Sequence, residues 1–213
     1  MDHIIATAVA LLDDDGAGAL SMRNLAQRLD SGTATLYRHF TGRADLIAQV
    51  VDNILADAHV AEETLEDMPW QEACDVLAHK LFDVFRRHPH VAPLLVEQIP
   101  TGPNAMIQRE RTIAVLLKSG FPPPLAAQAC ATLARFVLGF AAQLRSPGAD
   151  AAGSAEEWQT LDAQTFPATA SVADYLPVPL EQEFAFGLTL LLYGLERVTR
   201  QGAKPARRRV KRD

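Results

Sequence analysis

The sequence predicts an all-α protein with a small N-terminal head and a larger helical body. Apolar residues recur at helical spacing along most of the 213 residues, convincing strand alternation is absent, and Gly, Pro and Ser clusters separate the apolar segments. A polar stretch over residues 62–68 that ends at Pro69 indicates a joint between two domains. We therefore expect a head at residues 1–60, a body at residues 69–202 and a disordered basic tail at residues 203–213.

The composition is that of a folded globular chain. Hydrophobic residues make up 48% of the sequence and charged residues 22%, which argues against bulk disorder. No signal-peptide pattern and no uninterrupted apolar run of about 18 residues is present. These features predict a soluble, cytoplasmic protein without a membrane partner.

Neither the cysteines nor the histidines have the pattern of a metal site. Cys74 and Cys130 are too few and too far apart for a disulfide framework or a zinc site. We interpret both as buried small hydrophobic residues, with redox sensing as the alternative. His79, His88 and His90 have no carboxylate or cysteine at ligand spacing beside them, so we expect solvated or core histidines, no metal and no cofactor.

Positive charge is concentrated in two short segments of an acidic chain. The formal net charge is −6, yet residues 21–43 hold four arginines against one aspartate. Residues 203–213 hold six basic residues against one aspartate. Such asymmetry is an indication about binding partners.

The first two helices of the head have clear end signals. An apolar stripe over residues 4–12 predicts the first helix, which Gly16 can end in the left-handed conformation. Ser21 is the candidate N-cap of the second helix, with Leu20 and Leu25 at the positions of a hydrophobic staple.

Two further helices complete this part of the chain. Asp30, Ser31 and Gly32 end the second helix, and a third is expected from about residue 33 to residue 40. Thr41 can cap a fourth helix, whose apolar set runs through residues 46–58.

The body is predicted to consist mainly of long helices. Periodicity and Gly or Pro breaks predict them at about residues 70–87, 91–96, 105–119, 122–144 and 180–200. The 34-residue interval 146–179 is rich in Ala, Ser, Gly and Pro, with room for a short helix at residues 156–161. A loop of this length is usually functional or mobile, so we expect a flexible flap beside a ligand entrance.

The last helix is apolar on every side between Phe184 and Leu195. A helix with this pattern must be buried on every side, and a single small body covers only one of them. The Ala-rich helix over residues 125–144 has the same character. We therefore expect these two helices to pair with their copies in a homodimer.

Residues 21–40 have the arrangement of a helix-turn-helix, two short helices joined by about four residues. On the second helix Leu36 and Phe40 face inward, whereas Ala34 and Arg38 point outward. The flanking residues are Thr33, Thr35, Tyr37 and His39. Short side chains let a helix enter the major groove of double-stranded DNA, where Arg38 can read guanine. The alternatives are a helical corner of an unrelated protein and, for Tyr37 and His39, packing between head helices.

Two helix N-termini of the head are candidate phosphate sites. Arg43 lies in the first turn of the fourth helix, where a cation is unfavourable unless a bound anion reverses the sign. Ser21 and Arg23 stand at the start of the second helix. We expect these three side chains to contact the DNA backbone.

Three segments of the head resemble the DNA-binding domain of the tetracycline-repressor (TetR) family: LSMRNLAQRL at residues 20–29, TLYRHF at residues 35–40, and Asp45-Leu46. The resemblance covers roughly residues 3–55. It implies a three-helix DNA-binding head, a helical ligand-binding body and a homodimer made by two late helices. It also implies DNA contacts at Ser21, Arg23, Thr33, Ala34, Thr35, Tyr37, His39 and Arg43. The turn at residues 29–32 reads Leu-Asp-Ser-Gly instead of the family's usual Leu-Gly-Val-Ser.

The aromatic residues of the body are candidates for a ligand pocket. Gln108 and Arg111 lie about one turn apart and can orient a ligand by polar contacts. The expected lining residues are Phe82, Phe85, Gln108, Arg111, Phe136, Phe140, Trp158 and Tyr175.

A fainter resemblance extends into the body. Arg87-His-Pro-His, Gly102-Pro-Asn and Gly120-Phe are similar to segments in the C-terminal domain of tetracycline repressors. Leucines stand where tetracycline-binding members use polar or aromatic groups, at positions Leu77, Leu81 and Leu95. This difference disfavours tetracycline itself as the ligand.

These features predict a ligand-responsive transcription regulator, a repressor that a small molecule releases from operator DNA. No Gly-rich phosphate loop, zinc-protease motif or nucleophile elbow is present, so an enzyme is not expected. The alternative is an all-α small-molecule-binding or interaction protein without a role in DNA binding. The tail at residues 203–213 is interpreted as a solvated end, with non-specific attraction to DNA as the alternative.

Overall fold

The computed structural model describes residues 1–97, 99–144 and 155–202, and within these ranges it contains helices and loops but no strand. The helices are α1 Asp2–Asp15, α2 Met22–Arg28, α3 Thr33–Leu36, α4 Arg43–Ala56, α5 Glu62–Leu65, α6 Trp70–Arg87, α7 Ala92–Glu97, α8 Pro103–Lys118, α9 Pro123–Ala141, α10 Ala155–Gln159, α11 Pro167–Ala170 and α12 Leu180–Gly202. A 3-10 helix, Ala173–Tyr175, precedes α12. The all-α prediction is confirmed, and the predicted tail at residues 203–213 lies outside the described residues.

The head has its own apolar centre, formed by α1, α2, α3 and the N-terminal part of α4. Its fully buried leucines are Leu12, Leu20, Leu25, Leu36 and Leu46. Ser21 Oγ accepts a hydrogen bond from Asn24 N at 3.2 Å, which confirms the predicted N-cap of α2. Gly16 ends α1 with a positive φ of 80°, but its ψ of 174° is not that of the predicted left-handed cap.

The turn between α2 and α3 is a Schellman motif with Asp30 in the left-handed position. Asp30 has a φ of 49°. Ser31 N donates to Ala26 O at 2.9 Å, and Asp30 N donates to Gln27 O at 3.2 Å. Aspartate tolerates this conformation better than most residues, so the turn forms although it lacks glycine at this position.

The third helix is shorter than predicted. It ends at Leu36 and does not continue to Phe40. The next residues form tighter i→i+3 hydrogen bonds, from Arg38 N to Thr35 O at 3.3 Å and from His39 N to Leu36 O at 2.8 Å. Because α3 is so short, the outward-facing residues are shared between one helical turn and the bend that follows it.

The predicted cap of α4 is wrong. Gly42 is the N-cap residue, and the Thr41 hydroxyl is directed elsewhere. Asp45 Oδ2 accepts hydrogen bonds from Thr41 N at 2.8 Å and from Thr41 Oγ1 at 3.2 Å. Hydrogen bonds from Gln49 and from Thr41 lower the pKa of Asp45. The Asp45 carboxylate, in the first turn of α4, therefore fixes the backbone at Thr41, just before the helix begins.

The body is centred on α6, α8 and α9, and α12 packs across α6 and α9. Because α4 contacts both α8 and α6, the hydrophobic core is continuous from head to body. The predicted joint contains α5, whose Leu65 packs with Val60, Ala73 and Leu77 in a small second cluster. The position of the domain boundary stays a prediction.

The long interval before α12 is partly ordered. Residues 155–179 contain α10, α11 and the 3-10 helix, and α10 packs against the 3-10 helix. The short helix expected at residues 156–161 corresponds to α10. The first part of the interval, through residue 154, lies outside the described residues.

Helix α9 is long and apolar enough to cross a membrane if length and composition alone are considered. Its buried side consists of Ala126, Ala129, Cys130, Leu133, Val137 and Ala141. The exposed Gln128 and Arg135 interrupt its apolar sequence. Helix α9 contacts α6, α7, α8 and α12, which is the position of a core helix of the body.

A buried carboxylate joins α4 to the start of α8. Asp52 is 9% exposed, and its Oδ1 accepts a hydrogen bond from Ala105 N at 3.0 Å. Its Oδ2 accepts from Asn104 Nδ2 at 3.0 Å and from Asn104 N at 3.3 Å. A Cβ at Gly102 would lie 2.3 Å from Asp52 Cγ, so only glycine permits this approach. Asp52 therefore caps α8 from a neighbouring helix.

Candidate DNA-binding surface and ligand pocket

The outer face of the helix-turn-helix is exposed to solvent. Leu36 and Phe40 are buried, which confirms the predicted orientation of α3. The exposed residues of this face are Thr33, Ala34, Tyr37, Arg38 and His39, and Thr35 is half-buried. Tyr37 is 60% exposed, so its ring does not pack between head helices. The face presents short side chains beside one cation and is shaped to enter a groove.

Two head arginines have no partner among the residues that the structure describes. Arg23 and Arg38 are exposed and form neither a hydrogen bond nor an ion pair with any residue that the structure describes. Arg28, by contrast, forms ion pairs with Asp14 and, at 3.2 Å, with Asp15 at the end of α1. These pairs offset the unfavourable position of two carboxylates at a helix C-terminus. Arg23 and Arg38 are thus available to an external anion.

Arg43 is partly engaged inside the head. Its Nε donates to Leu20 O at 2.8 Å, and its Nη2 donates to Ala17 O at 3.1 Å. The guanidinium has further N–H groups that can still reach a phosphate. Arg43 therefore ties the loop before α2 to the start of α4, and its contact with DNA stays a prediction.

Three predicted pocket residues meet in an aromatic cluster of the body. Phe82 stacks on Phe184 with ring centroids 4.2 Å apart, and Phe136 and Phe140 approach the same ring at 5.4 and 5.6 Å. Phe184 was not among the predicted lining residues, although the apolar pattern of the last helix included it. A Cβ at Gly187 would lie 2.9 Å from Phe136 Cζ, so α12 and α9 approach closely here. Phe85, also predicted, is buried on α6.

Three other predicted pocket residues carry a buried nitrogen without a hydrogen-bond partner among the described residues. These atoms are Gln108 Nε2, Arg111 Nη1 and Trp158 Nε1. The second nitrogen of the Arg111 guanidinium, Nη2, contacts Nε2 of His59, which lies in the loop after α4. Buried polar groups are normally paired, and all three unpaired groups are donors. They can accommodate a ligand that brings acceptor oxygens.

Tyr175 does not join this group. It is 77% exposed on the 3-10 helix, because Ala173 is the residue of that turn that faces the protein. The structure places Tyr175 on the surface, which corrects the expectation that its ring lines the interior of the body.

A cavity that the sequence did not predict lies between head and body. It has a volume of about 500 Å³ and is lined by α1, α4, α7 and residues 99–104. Its walls include Ile5, Ile47, Leu94 and Asp52, and it shares no residue with the aromatic cluster. Because its walls come from segments far apart in the chain, no local pattern indicates it.

The histidines and cysteines have structural surroundings. His79 Nδ1 lies 3.2 Å from an oxygen of Asp75, one turn earlier on α6, so the expectation that no carboxylate stands beside this histidine is wrong. The ring of His79 meets Phe184 edge-on. No group of three His, Cys, Asp or Glu side chains that could hold a metal occurs within the part of the chain described. Burial raises the pKa of the Cys74 thiol to about 12 and also raises that of Cys130. Protonated, buried thiols are unreactive, as the predicted core role requires.

Sequence comparisons agree with this architecture. Residues 64–199 match the family of tetracyclin repressor-like C-terminal domains, and residues 4–50 match bacterial regulatory proteins of the tetR family. The HTH-type transcriptional repressor DrrR1 of Streptomyces coeruleorubidus is 28% identical over 208 residues, which cover 92% of this chain and 77% of that protein.

The ActR protein of Streptomyces coelicolor is similar in three dimensions. Its apo structure gives a TM-score of 0.84 at 32% identity and covers 95% of this chain and 97% of its own. The structure of ActR in complex with actinorhodin gives a TM-score of 0.81 at 32% identity, with coverages of 93% and 97%. The chain belongs to the TetR family, and it is a ligand-responsive, DNA-binding transcriptional repressor.

Proposed function

We propose that this repressor binds its operator as a homodimer through the exposed face of α3 and leaves it when an oxygen-rich small molecule binds in the body. In this proposal residues 1–60 bind DNA, and residues 69–202 bind the ligand and form the dimer. The relatives are transcription regulators. The proposal therefore places the protein in the cytoplasm and gives it no catalytic step. The observation that carries it is the exposed face of α3 together with Arg23 and Arg38, which have no partner within the described part of the chain.

The DNA contacts divide into base and phosphate contacts. Arg38 and the small residues Ala34 and Thr33 are proposed to face base edges in the major groove. Arg23, Arg43 and the Ser21 hydroxyl are proposed to hold phosphates, since the Ser21 proton stays free while its oxygen accepts from Asn24 N. The other residues proposed to contact DNA are Thr35, Tyr37 and His39.

The dimer proposal rests on the uncovered side of α12. Phe186, Leu190 and Tyr193 lie on one face of the helix and are 66%, 55% and 68% exposed. The opposite side packs on the body through Phe184, Leu188 and Leu192. A second copy of the chain would bury the exposed face and hold two heads about 34 Å apart, one turn of DNA.

The dimer is tested by sedimentation. The exposed Leu190 is changed to glutamate, and the control Leu117→Glu places the same change on an exposed leucine of α8. Leu190→Glu should sediment as a folded monomer at micromolar concentration, while the wild type and the control sediment as dimers. A monomeric wild type would refute the dimer.

The chemistry of the ligand is inferred from the three unpaired donors. Gln108, Arg111 and Trp158 each offer an N–H group that is buried and unpaired within the described ranges. A ligand with carbonyl, phenolate or carboxylate oxygens would satisfy them, and an aromatic framework would suit the phenylalanine cluster of the body. ActR, whose structure contains actinorhodin, is similar to this chain at 32% identity. Actinorhodin is therefore a reasonable first probe.

The DNA-binding proposal is tested by selecting duplexes from a random pool with the full-length protein. Affinity for the selected duplex is then compared for the wild type, Arg38→Ala and the control Arg86→Gln, which alters an arginine paired within α6 to Asp83. Arg38→Ala should lose about 1–3 kcal/mol on the selected duplex and much less on random DNA, whereas the control should be unchanged. Failure of the wild type to enrich any duplex would favour the alternative, an interaction protein without a DNA role.

A further inference from the structure

The C-terminal end of α6 contacts the head through two consecutive residues. Arg87 Nη1 lies 3.0 Å from Asp57 Oδ2, and Asp57 is the residue at which α4 ends. His88 Nδ1 lies 2.9 and 3.0 Å from the two carboxylate oxygens of Asp13, in the last turn of α1. A carboxylate can only accept, so this His88 nitrogen is the one that carries the proton.

Both aspartates stand where helix geometry disfavours them. A carboxylate near a helix C-terminus is repelled by the partial negative charge of the exposed carbonyls. The neighbouring Asp14 and Asp15 of α1 pair with Arg28. Asp13 pairs instead with His88. Positions that break a local rule are frequently functional, and here the compensating groups come from the other part of the chain.

The same helix carries residues of the aromatic cluster. Phe82 stacks on Phe184, and Phe85 is buried two residues before Arg87. Phe82 and Arg87 are five positions apart on this helix, a rise of about 7.5 Å. A shift of α6 at the cluster therefore reaches the head contacts within little more than one helical turn.

We propose that Arg87 and His88 form a clamp that fixes the orientation of the head on the body, and that they act as positioning residues for operator binding. The inference rests on the proposed function. Asp13 and Asp57 belong to different helices, so the head cannot rotate on the body without breaking at least one contact. Without the clamp the heads sample more orientations, and the apparent affinity for DNA falls with the fraction of dimers that remain competent.

For the Asp57→Asn variant, the clamp and the change in net charge predict opposite effects on DNA affinity. Asp57→Asn makes the protein more positive, which by itself strengthens DNA binding. Loss of the clamp should instead weaken binding of the selected duplex, by about tenfold if the competent fraction falls to about one tenth. Arg87→Gln should have a similar effect, and the double variant should be no weaker than either single variant. The control Arg86→Gln changes the adjacent arginine, whose partner Asp83 lies on α6 itself.

Affinity for the selected duplex is measured at fixed salt, with thermal unfolding in parallel. Half-exposed ion pairs contribute little to stability, so the variants should keep nearly the wild-type melting temperature. Hydrogen exchange without DNA should be faster at the C-terminal turns of α1 and α4 in Arg87→Gln than in Arg86→Gln.

Unchanged or tighter binding by Asp57→Asn would overturn the clamp, as would equal exchange in the two arginine variants. If the wild type enriches no duplex, the proposed function fails. The exchange comparison, which needs neither DNA nor ligand, still decides whether the clamp holds the head.

Discussion

Replacing Asp52 with alanine should lower the free energy of unfolding by about 2–3 kcal/mol. This is a large change for a single polar side chain. The carboxylate accepts hydrogen bonds from Ala105 N at 3.0 Å, Asn104 Nδ2 at 3.0 Å and Asn104 N at 3.3 Å. Loss of a helix N-cap alone costs about 1 kcal/mol. Ala105 N would in addition be left buried without an acceptor, which costs about 1–3 kcal/mol, and these two terms overlap because they share one hydrogen bond.

Two further variants separate charge from shape. Asp52→Asn keeps an acceptor oxygen for Ala105 N but loses the charge that favours the N-terminus of α8, so about half of the alanine effect is expected. Gly102→Ala keeps the carboxylate and displaces it, because the new Cβ would lie 2.3 Å from Asp52 Cγ. It should therefore destabilise the protein by about 1–3 kcal/mol, the usual range for overpacking.

The assay is urea unfolding followed by circular dichroism at one fixed protein concentration, since the proposed dimer would unfold in a concentration-dependent manner. Asn53→Ala, on the exposed side of the same turn of α4, is the control and should change stability by less than about 0.5 kcal/mol. If Asp52→Ala behaves like Asn53→Ala, the carboxylate does not cap α8 and the reasoning is wrong.

Three other outcomes are expected. Asp30→Gly should raise the free energy of unfolding by about 0.5–1 kcal/mol in urea, because glycine adopts the left-handed conformation without strain; a loss of stability would contradict the turn geometry. Ellman's reagent should label Cys74 and Cys130 only after unfolding. Because burial raises the Cys74 pKa from 9.0 to about 12, its contribution to stability is present below pH 9 and lost as the pH rises towards 12. In a Trp70→Phe variant the fluorescence of Trp158 should shift when actinorhodin is added at saturating concentration; displacement of DNA without a shift would place the ligand elsewhere.

Much of the head was predictable because its signals are local. Ser21 caps α2 through a residue three positions away, and Gly16 and Asp30 end helices by their own backbone conformation. The outward face of α3 follows from helical spacing once Leu36 and Phe40 are recognised as core. The prediction failed at the end of α3 and at Thr41, which are both helix ends, and sequence patterns do not resolve helix ends to within one or two residues.

The body was predictable only in outline. Helix bounds near residues 70–87 and the aromatic candidates were identified from periodicity, but the arrangement of Phe82, Phe136 and Phe140 around Phe184 depends on how three helices pack. Tyr175 was misplaced because side-chain type does not reveal which side of a short turn faces the protein.

The helical class, the positions of most helices and the residues that the head presents outward can be read from the sequence, because each depends on contacts within four or five residues. Which carboxylates meet which cations and donors depends on how the helices pack. Asp13 pairs with His88 across 75 positions, Asp57 with Arg87 across 30, and Asp52 with Ala105 across 53. In the sequence Asp13 and Asp57 are only charges near helix C-termini, and Asp52 is only a polar residue within α4. They become connections between head and body when packing brings distant helix ends together.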